Sequence, residues 1–229
     1  MDISEAINQL NELKYPYPTE AVRYVREHKD EAVPALMMNI QRQLDELPNE
    51  SPSTLDTILS YYLLAEFRIK EALPLLLRPL RLDEKALDYV LGDIVFDGYG
   101  GIIASCADAA DLPLIEAIVL DESVSKYARD AALTSLNVLY AEGDLSRDAL
   151  AGVYRRLLDS LLKHDSDDDD EPFLLPSAVN NTANLHLDEF YDDAKAMFDK
   201  FGSSDFFGEW EDWLSKYNAS ASDAKAAYL

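Results

Sequence analysis

Ala32-Val33-Pro34-Ala35-Leu36, Ala72-Leu73-Pro74-Leu75-Leu76 and Asp111-Leu112-Pro113-Leu114-Ile115 are the stretches whose likeness decides the fold. Their prolines stand at 34, 74 and 113, spacings of 40 and 39 residues. Proline has no backbone N–H, and the first turn of a helix is where that donor is spare. Each stretch therefore predicts the opening of the second helix of a helix pair. Ala149-Leu150-Ala151 continues the series 38 residues past Pro113, without its proline. A fifth, degenerate unit is expected from Phe173 to about Phe201.

Outward from these stretches, helical periodicity recurs and strand alternation does not. Leu55, Ile58, Leu59, Tyr62 and Leu63 fall on one helical stripe, as do Leu73, Leu76, Leu77 and Leu80, and Leu150, Val153, Leu157 and Leu161. Breakers separate the stripes at Pro48 to Pro52, Gly98 to Gly101, Gly143-Asp144 and Asp165 to Pro172. Residues 126–139 read as the first helix of a pair, with alanines at 128, 131 and 132 small enough for close helix approach. Helix pairs repeating at about 40 residues bury their apolar faces against neighbours. The expected fold is all-α, an α-α superhelix of the HEAT/armadillo-like kind with about five antiparallel helix pairs. Its units are expected near 1–47, 53–82, 86–121, 126–164 and 173–201. A capping helix over 205–217 completes a single repeat domain over 1–217, and 218–229 is expected to be a disordered tail.

The chain has 229 residues, 48% of them hydrophobic, enough to bury a sizeable core. It holds no apolar run of the roughly 18 residues that would cross a membrane. Met1-Asp2-Ile3-Ser4-Glu5 is acidic and amphipathic, unlike the basic start of a secretory signal. The single cysteine, Cys106, forms no intrachain disulfide or thiolate cluster, and a reducing cytoplasm is the expected setting. Net charge is −24, from 44 acidic and 20 basic residues. Nucleic acid and anionic membrane surfaces are disfavoured partners, because both require Lys and Arg against phosphate. A basic protein partner is favoured, and no cofactor or metal is expected.

Several stretches carry a family resemblance. They are Tyr17-Pro18-Thr19-Glu20-Ala21-Val22, Tyr61-Tyr62-Leu63-Leu64-Ala65-Glu66-Phe67-Arg68, and Leu91-Gly92-Asp93-Ile94 with Ile103-Ala104-Ser105. Tyr127-Ala128-Arg129-Asp130-Ala131-Ala132-Leu133 and Ala141-Glu142-Gly143-Asp144-Leu145-Ser146-Arg147 follow, with a weaker match from Leu187 to Trp213. In order and spacing the chain resembles a bacterial family known as domain of unknown function 1186. The resemblance implies a helical-repeat fold and no particular activity. Some members of that family append a Cys-rich metal-binding motif; this sequence ends Ala219-Ser220-Ala221-Ser222 to Leu229 with no cysteine, so that metal is not carried over.

Candidate sites follow from charge and aromatic patterning. No Lys or Arg occurs between Ala86 and Ser125, a window holding Asp88, Asp93, Asp97, Asp108, Asp111, Glu116, Asp121 and Glu122. Asp93 and Asp97 are four apart and share a helical face. Such a pair suits acid/base work or a divalent cation; the competing reading is a solvated face or ion pairing with a neighbouring unit. Gly98-Tyr99-Gly100-Gly101 precedes a helix from about Ile102 and lacks the GKS/T sequel of a phosphate loop, so a turn between helices is expected. Tyr99 joins the acidic pair as a candidate contact. Asp165 to Glu171 lacks the glycine and terminal Glu of a calcium loop and is read as a solvated linker. His28, His164 and His186 are isolated in sequence, and Cys106 reads as a buried packing residue whose acidic surroundings raise its pKa.

Phe206, Phe207, Trp210, Trp213, Leu214 and Tyr217 form an aromatic stripe at helical spacing. It is expected to cover the exposed end of the core; as a docking helix, Trp210 and Trp213 would anchor a partner. Two functions compete. One is a non-catalytic acidic scaffold for a basic partner. The other is a small-ligand enzyme or accessory lyase built on the acidic central repeat.

Overall fold

The computed structural model describes residues 1–12, 17–47, 57–162, 173–201, 208–219 and 228, and every element of length among them is helical. The chain is all-α, with no β-strand among the described residues. It divides into two compact units, Met1–Ala107 and Asp108–Leu229. The Pro48–Pro52 breaker, the Asp165–Glu171 run, His164, Phe206, Phe207 and most of the expected tail lie outside the described residues.

The first unit holds α1 (Ile3–Leu10), α2 (Thr19–Glu27), α3 (Lys29–Glu46), α4 (Ile58–Glu66), α5 (Leu73–Leu76), α6 (Glu84–Leu91), α7 (Ile94–Asp97) and α8 (Tyr99–Ser105). Helix α1 starts where the Asp2 carboxylate accepts from the Glu5 amide at 2.8 Å, satisfying one of the spare donors of the first turn. Helix α3 buries one stripe, Ala32, Leu36, Asn39, Ile40, Gln43 and Leu44, against α1 and α4. Each fully buried Leu or Ile there contributes about 1.5–3 kcal/mol over its exposed state. The polar members of the stripe are matched. Asn39 donates to Asn11 Oδ1 at 2.7 Å and to Ser60 Oγ at 3.0 Å, and Asn11 donates back to Asn39 Oδ1 at 2.9 Å. This exchange joins the end of α1 to α3 and α4 without leaving a buried amide unpaired.

Two of the three prolines stand in the first turn of a helix, where their missing donor is spare. Pro74 and Pro113 stand at the second position of their helices, each preceded by a 3-10 turn, Lys70–Ala72 and Ala109–Asp111. Pro34 departs from this, lying inside α3. The chain at Lys29 continues as α-helix where the other two run as 3-10, with Asp30 and Glu31 placed in the positive first turn. A second departure follows from Pro79, which stops the helix begun at Leu73 after one turn and restarts it as a 3-10 turn over Pro79–Arg81.

The second unit holds α9 (Leu112–Val119), α10 (Lys126–Glu142), α11 (Arg147–Leu161), α12 (Leu174–Asn184), α13 (Tyr191–Phe201) and α14 (Trp210–Tyr217). Helix α10 packs against α9, α11 and α12, and its small residues Ala128, Ala131 and Ala132 are buried, as close approach requires. It ends at Gly143, whose φ of +90° is left-handed and lets the Asp144 amide reach back to the Leu139 carbonyl at 2.9 Å. Ser146 then caps α11 by accepting from the Ala149 amide.

Within each unit, several polar contacts span about 40 residues. In the first, Arg26 forks onto Glu66, 40 residues away, and Lys29 donates to the Phe67 carbonyl, 38 away. In the second, Arg156 pairs with Glu116 across 40 residues, Ser160 donates to Glu122 across 38, and Arg147 forks onto Glu189 across 42. No helix among the described residues is long and apolar enough to cross a membrane.

Candidate functional site

The acidic pair comes first. Gly92 ends α6 with φ +50°, turning the chain into the one-turn helix α7, with Asp93 at its start and Asp97 at its end. Both carboxylates are exposed on that single turn. No group of three or more His, Cys, Asp or Glu among the described residues is placed to hold a metal ion.

Tyr99 is a correction. Instead of projecting from a turn, it is the first residue of α8, and it is 0% exposed. Its hydroxyl donates to the Leu76 carbonyl at 2.7 Å, its ring stands edge-on to Tyr61 at 5.5 Å, and burial holds its phenol well above the ordinary value. The expected turn is instead helical from Tyr99 onward, with Gly98 at its N-cap. A Cβ at Gly98 would stand 3.0 Å from the Tyr62 hydroxyl. Tyr99 therefore faces the core and is not available to a partner.

The aromatic stripe divides. Trp213 is 1% exposed and donates from its indole N–H to the Val179 carbonyl at 3.0 Å. Trp210 stacks on it at 4.8 Å and Tyr217 at 5.1 Å, while Tyr191 meets both tryptophans edge-on at 5.7 Å. Trp213 packs inward on α12, and only half-buried Trp210, with Lys195 over its ring at 5.1 Å, keeps a face outward. Trp213 as a partner anchor is thus a second correction, since its ring is buried against α12.

Cys106 is buried beside the Leu64 carbonyl, and desolvation pushes its thiol up to about 11. The direction matches the expectation, but its main cause is burial and not the acidic neighbours. His28 stacks on Tyr24 at 4.0 Å in the α2–α3 junction. His186 adopts φ +51° and gives its carbonyl to Arg147 at 3.0 Å.

A surface that sequence reasoning missed lies in the first unit. Between α3 and α5 runs an open groove of about 490 Å³ lined by Met37, Met38, Gln41, Glu71, Pro74, Leu75 and Arg78. Met38 is 69% exposed, and Leu75 is buried beneath it. The rim is polar. Asp45 accepts from Gln41 and from Arg78, and these hydrogen bonds, Gln41 first, hold its carboxyl below the ordinary value. The signal was present in the sequence. Met38 falls off the stripe that α3 buries, so an apolar side chain there has no core to enter.

The chain belongs to the family described as protein of unknown function (DUF1186), whose model matches residues 1–225. It is similar to an uncharacterised protein of Chlamydia muridarum (strain MoPn / Nigg), 26% identical over 165 residues, covering 71% of this chain and 66% of the relative. A second uncharacterised protein, from Chlamydia trachomatis serovar D, is also 26% identical over 165 residues, covering 71% of this chain and 65% of the relative. The chain thus spans just under two thirds of the length of these relatives. No solved structure matches it.

Proposed function

As this member of its family, we propose, the chain is a non-catalytic HEAT-like scaffold in a reducing cytoplasm that docks a basic amphipathic helix of another protein. The repeat array is taken as one domain over 1–217, with the α3–α5 groove as its docking place. The groove carries the reading: exposed Met38 and half-buried Met37, lining it with Leu75 and Pro74, suit the apolar face of a helix. Charge selects the partner. Glu71 and the Asp45–Arg78 pair border the groove, and a chain of net charge −24 steers a Lys- or Arg-rich helix toward it and repels an acidic one. The exposed carboxylates Asp93 and Asp97 add to that field. In this reading they act as charge, with no acid/base task and no cofactor, and nucleic acid is repelled.

The test is calorimetric titration with a helical peptide bearing Leu on one face and Lys on the other. The unaltered protein binds it, and Met38→Asp weakens binding by about tenfold or more, since a charge on the apolar floor must be desolvated. Raising salt from about 0.03 M to about 0.3 M also weakens it. Equal affinity for Met38→Asp, or for the same peptide with Glu in place of Lys, would overturn the proposal.

A further inference from the structure

The second unit carries a polar cluster where three packed helices would ordinarily meet through apolar side chains. Helix α10 contributes Asp130 and Asn137, α11 contributes Tyr154, and α12 contributes Ser177, Asn181 and Asn184. Tyr154 is fully buried and donates to Asn137 Oδ1 at 2.9 Å. Asn137 is also fully buried, and among the described residues its amide nitrogen has no hydrogen-bond partner. Ser177 donates to the Asp130 carboxylate at 2.5 Å. Buried polar groups cost stability unless matched, so an orphan amide in such a cluster marks a place where a partner group is expected.

One side chain from far along the sequence enters this cluster. Tyr228 donates from its hydroxyl to Asn181 Oδ1 at 2.6 Å across 47 residues. Asn184, one turn along α12, lowers the pKa of the same phenol, as a donor to its oxygen does. Burial outweighs that and, with the Asp130 carboxylate, holds Tyr228 above its ordinary value, so it sits there as the neutral O–H donor. Tyr228 is also near enough to Tyr154 to raise that phenol further, beyond the larger effect of burial. The hydroxyl therefore meets an acceptor at Asn181, a polar contact that a phenol makes and a hydrocarbon ring does not.

From this geometry we infer that the α10–α11–α12 cluster is a binding site for a phenolic group, that Tyr228 fills it from within the chain, and that an external phenol competes with Tyr228. The inference concerns different residues from the α3–α5 groove and does not depend on it. An occupant tethered to its own site acts at an effective concentration on the order of millimolar. A free phenol is consequently excluded from the full chain until that level and admitted readily once Tyr228 is replaced.

The experiment uses the full chain and its Tyr228→Ala and Tyr228→Phe variants, each first shown to give an unaltered circular dichroism spectrum. The probes are 4-methylphenol and toluene, followed through the side-chain amide signals of Asn137, Asn181 and Asn184. Tyr228→Ala is expected to bind 4-methylphenol at least about tenfold more tightly than the unaltered chain, and about tenfold more tightly than it binds toluene. Tyr228→Phe, which keeps the ring and loses the hydroxyl, falls between. Three outcomes overturn the inference: no shift of the asparagine amides with 4-methylphenol in Tyr228→Ala, equal binding of toluene, or equal binding to the unaltered chain. Asn181→Leu in the Tyr228→Ala background keeps the test sharp, since it must abolish the preference for 4-methylphenol over toluene.

Discussion

Replacing Tyr99 by phenylalanine takes one hydroxyl out of the interior of the first unit. Leu76 closes α5, and its carbonyl is one of those a helix end leaves without an intrahelical donor. The neighbouring amides are committed elsewhere: Leu77 N–H goes to the Leu73 carbonyl and Arg78 N–H to that of Leu75. The Tyr99 hydroxyl, at 2.7 Å, takes their place, and both residues are 0% exposed. Without it a buried acceptor is left dry, a loss of about 1–3 kcal/mol. With a urea m value of about 1–3 kcal/mol/M, the unfolding midpoint falls by on the order of 1 M. Far-UV circular dichroism is the right probe, because both tryptophans lie in the second unit and their fluorescence follows that unit alone. Binding of a Lys-rich helical peptide is expected to stay unchanged, since a buried side chain touches no partner. A loss below about 0.5 kcal/mol, the size of an ordinary surface substitution, would refute the reasoning about the carbonyl. A selective loss of peptide binding would restore Tyr99 as a contact.

Three further predictions rest on other parts of the fold. Trp213→Ala opens a void against α12 and removes the bond to Val179, so it should cost about 3–5 kcal/mol in a chemical-denaturation series. Gly143→Ala places a Cβ on a left-handed residue, and about 1–2 kcal/mol is expected from the same measurement. Asp130 has its carboxyl held above the ordinary range by burial, opposed in part by Ser177. A raised folded-state value means the native protein binds that proton more tightly than the unfolded chain. The favourable contribution is complete below the ordinary carboxylate value near about 4 and is lost as pH rises through the raised one. Asp130→Asn should therefore flatten the stability profile on that side and raise stability at neutral pH, read as urea midpoints across the range.

Much of the helical organisation was legible in the sequence, because periodicity and breakers act locally. The stripe Leu150, Val153, Leu157 is buried in α11 as spaced, and the Gly143 stop is a left-handed cap. Arg26–Glu66 and Arg156–Glu116 each span 40 residues. What local pattern did not reveal depends on neighbours from other helices. The glycines at 98–101 looked like a turn, yet Tyr62 of α4 closes on Gly98 and Tyr99 turns into the core. Trp213 has the composition of an interface anchor and the burial of a core residue, and spacing alone does not separate the two. Pro34 shows the limit of the motif itself, since the residues before a proline decide whether its turn is the first or the second. The α3–α5 groove was missed because Met37 and Met38 meet Pro74 and Leu75 only after folding, although Met38 off its own stripe was a warning. The polar cluster of the second unit was missed for the same reason, with Tyr228 and Asn181 lying 47 residues apart.

The chain's four methionines offer the most direct test of a docking groove, because each methyl gives one signal. Met37 and Met38 line the groove, Met197 is buried in the second unit, and Met1 stands apart at the start of the chain. In a methyl-labelled sample titrated with the Lys- and Leu-faced helical peptide at low salt, the Met37 and Met38 signals should shift together and saturate. Met197 and Met1 should stay in place, and added salt should reverse the change. Shifts at Met197 with none at Met37 and Met38, or no shift at any methionine, would contradict a basic helix docked between α3 and α5.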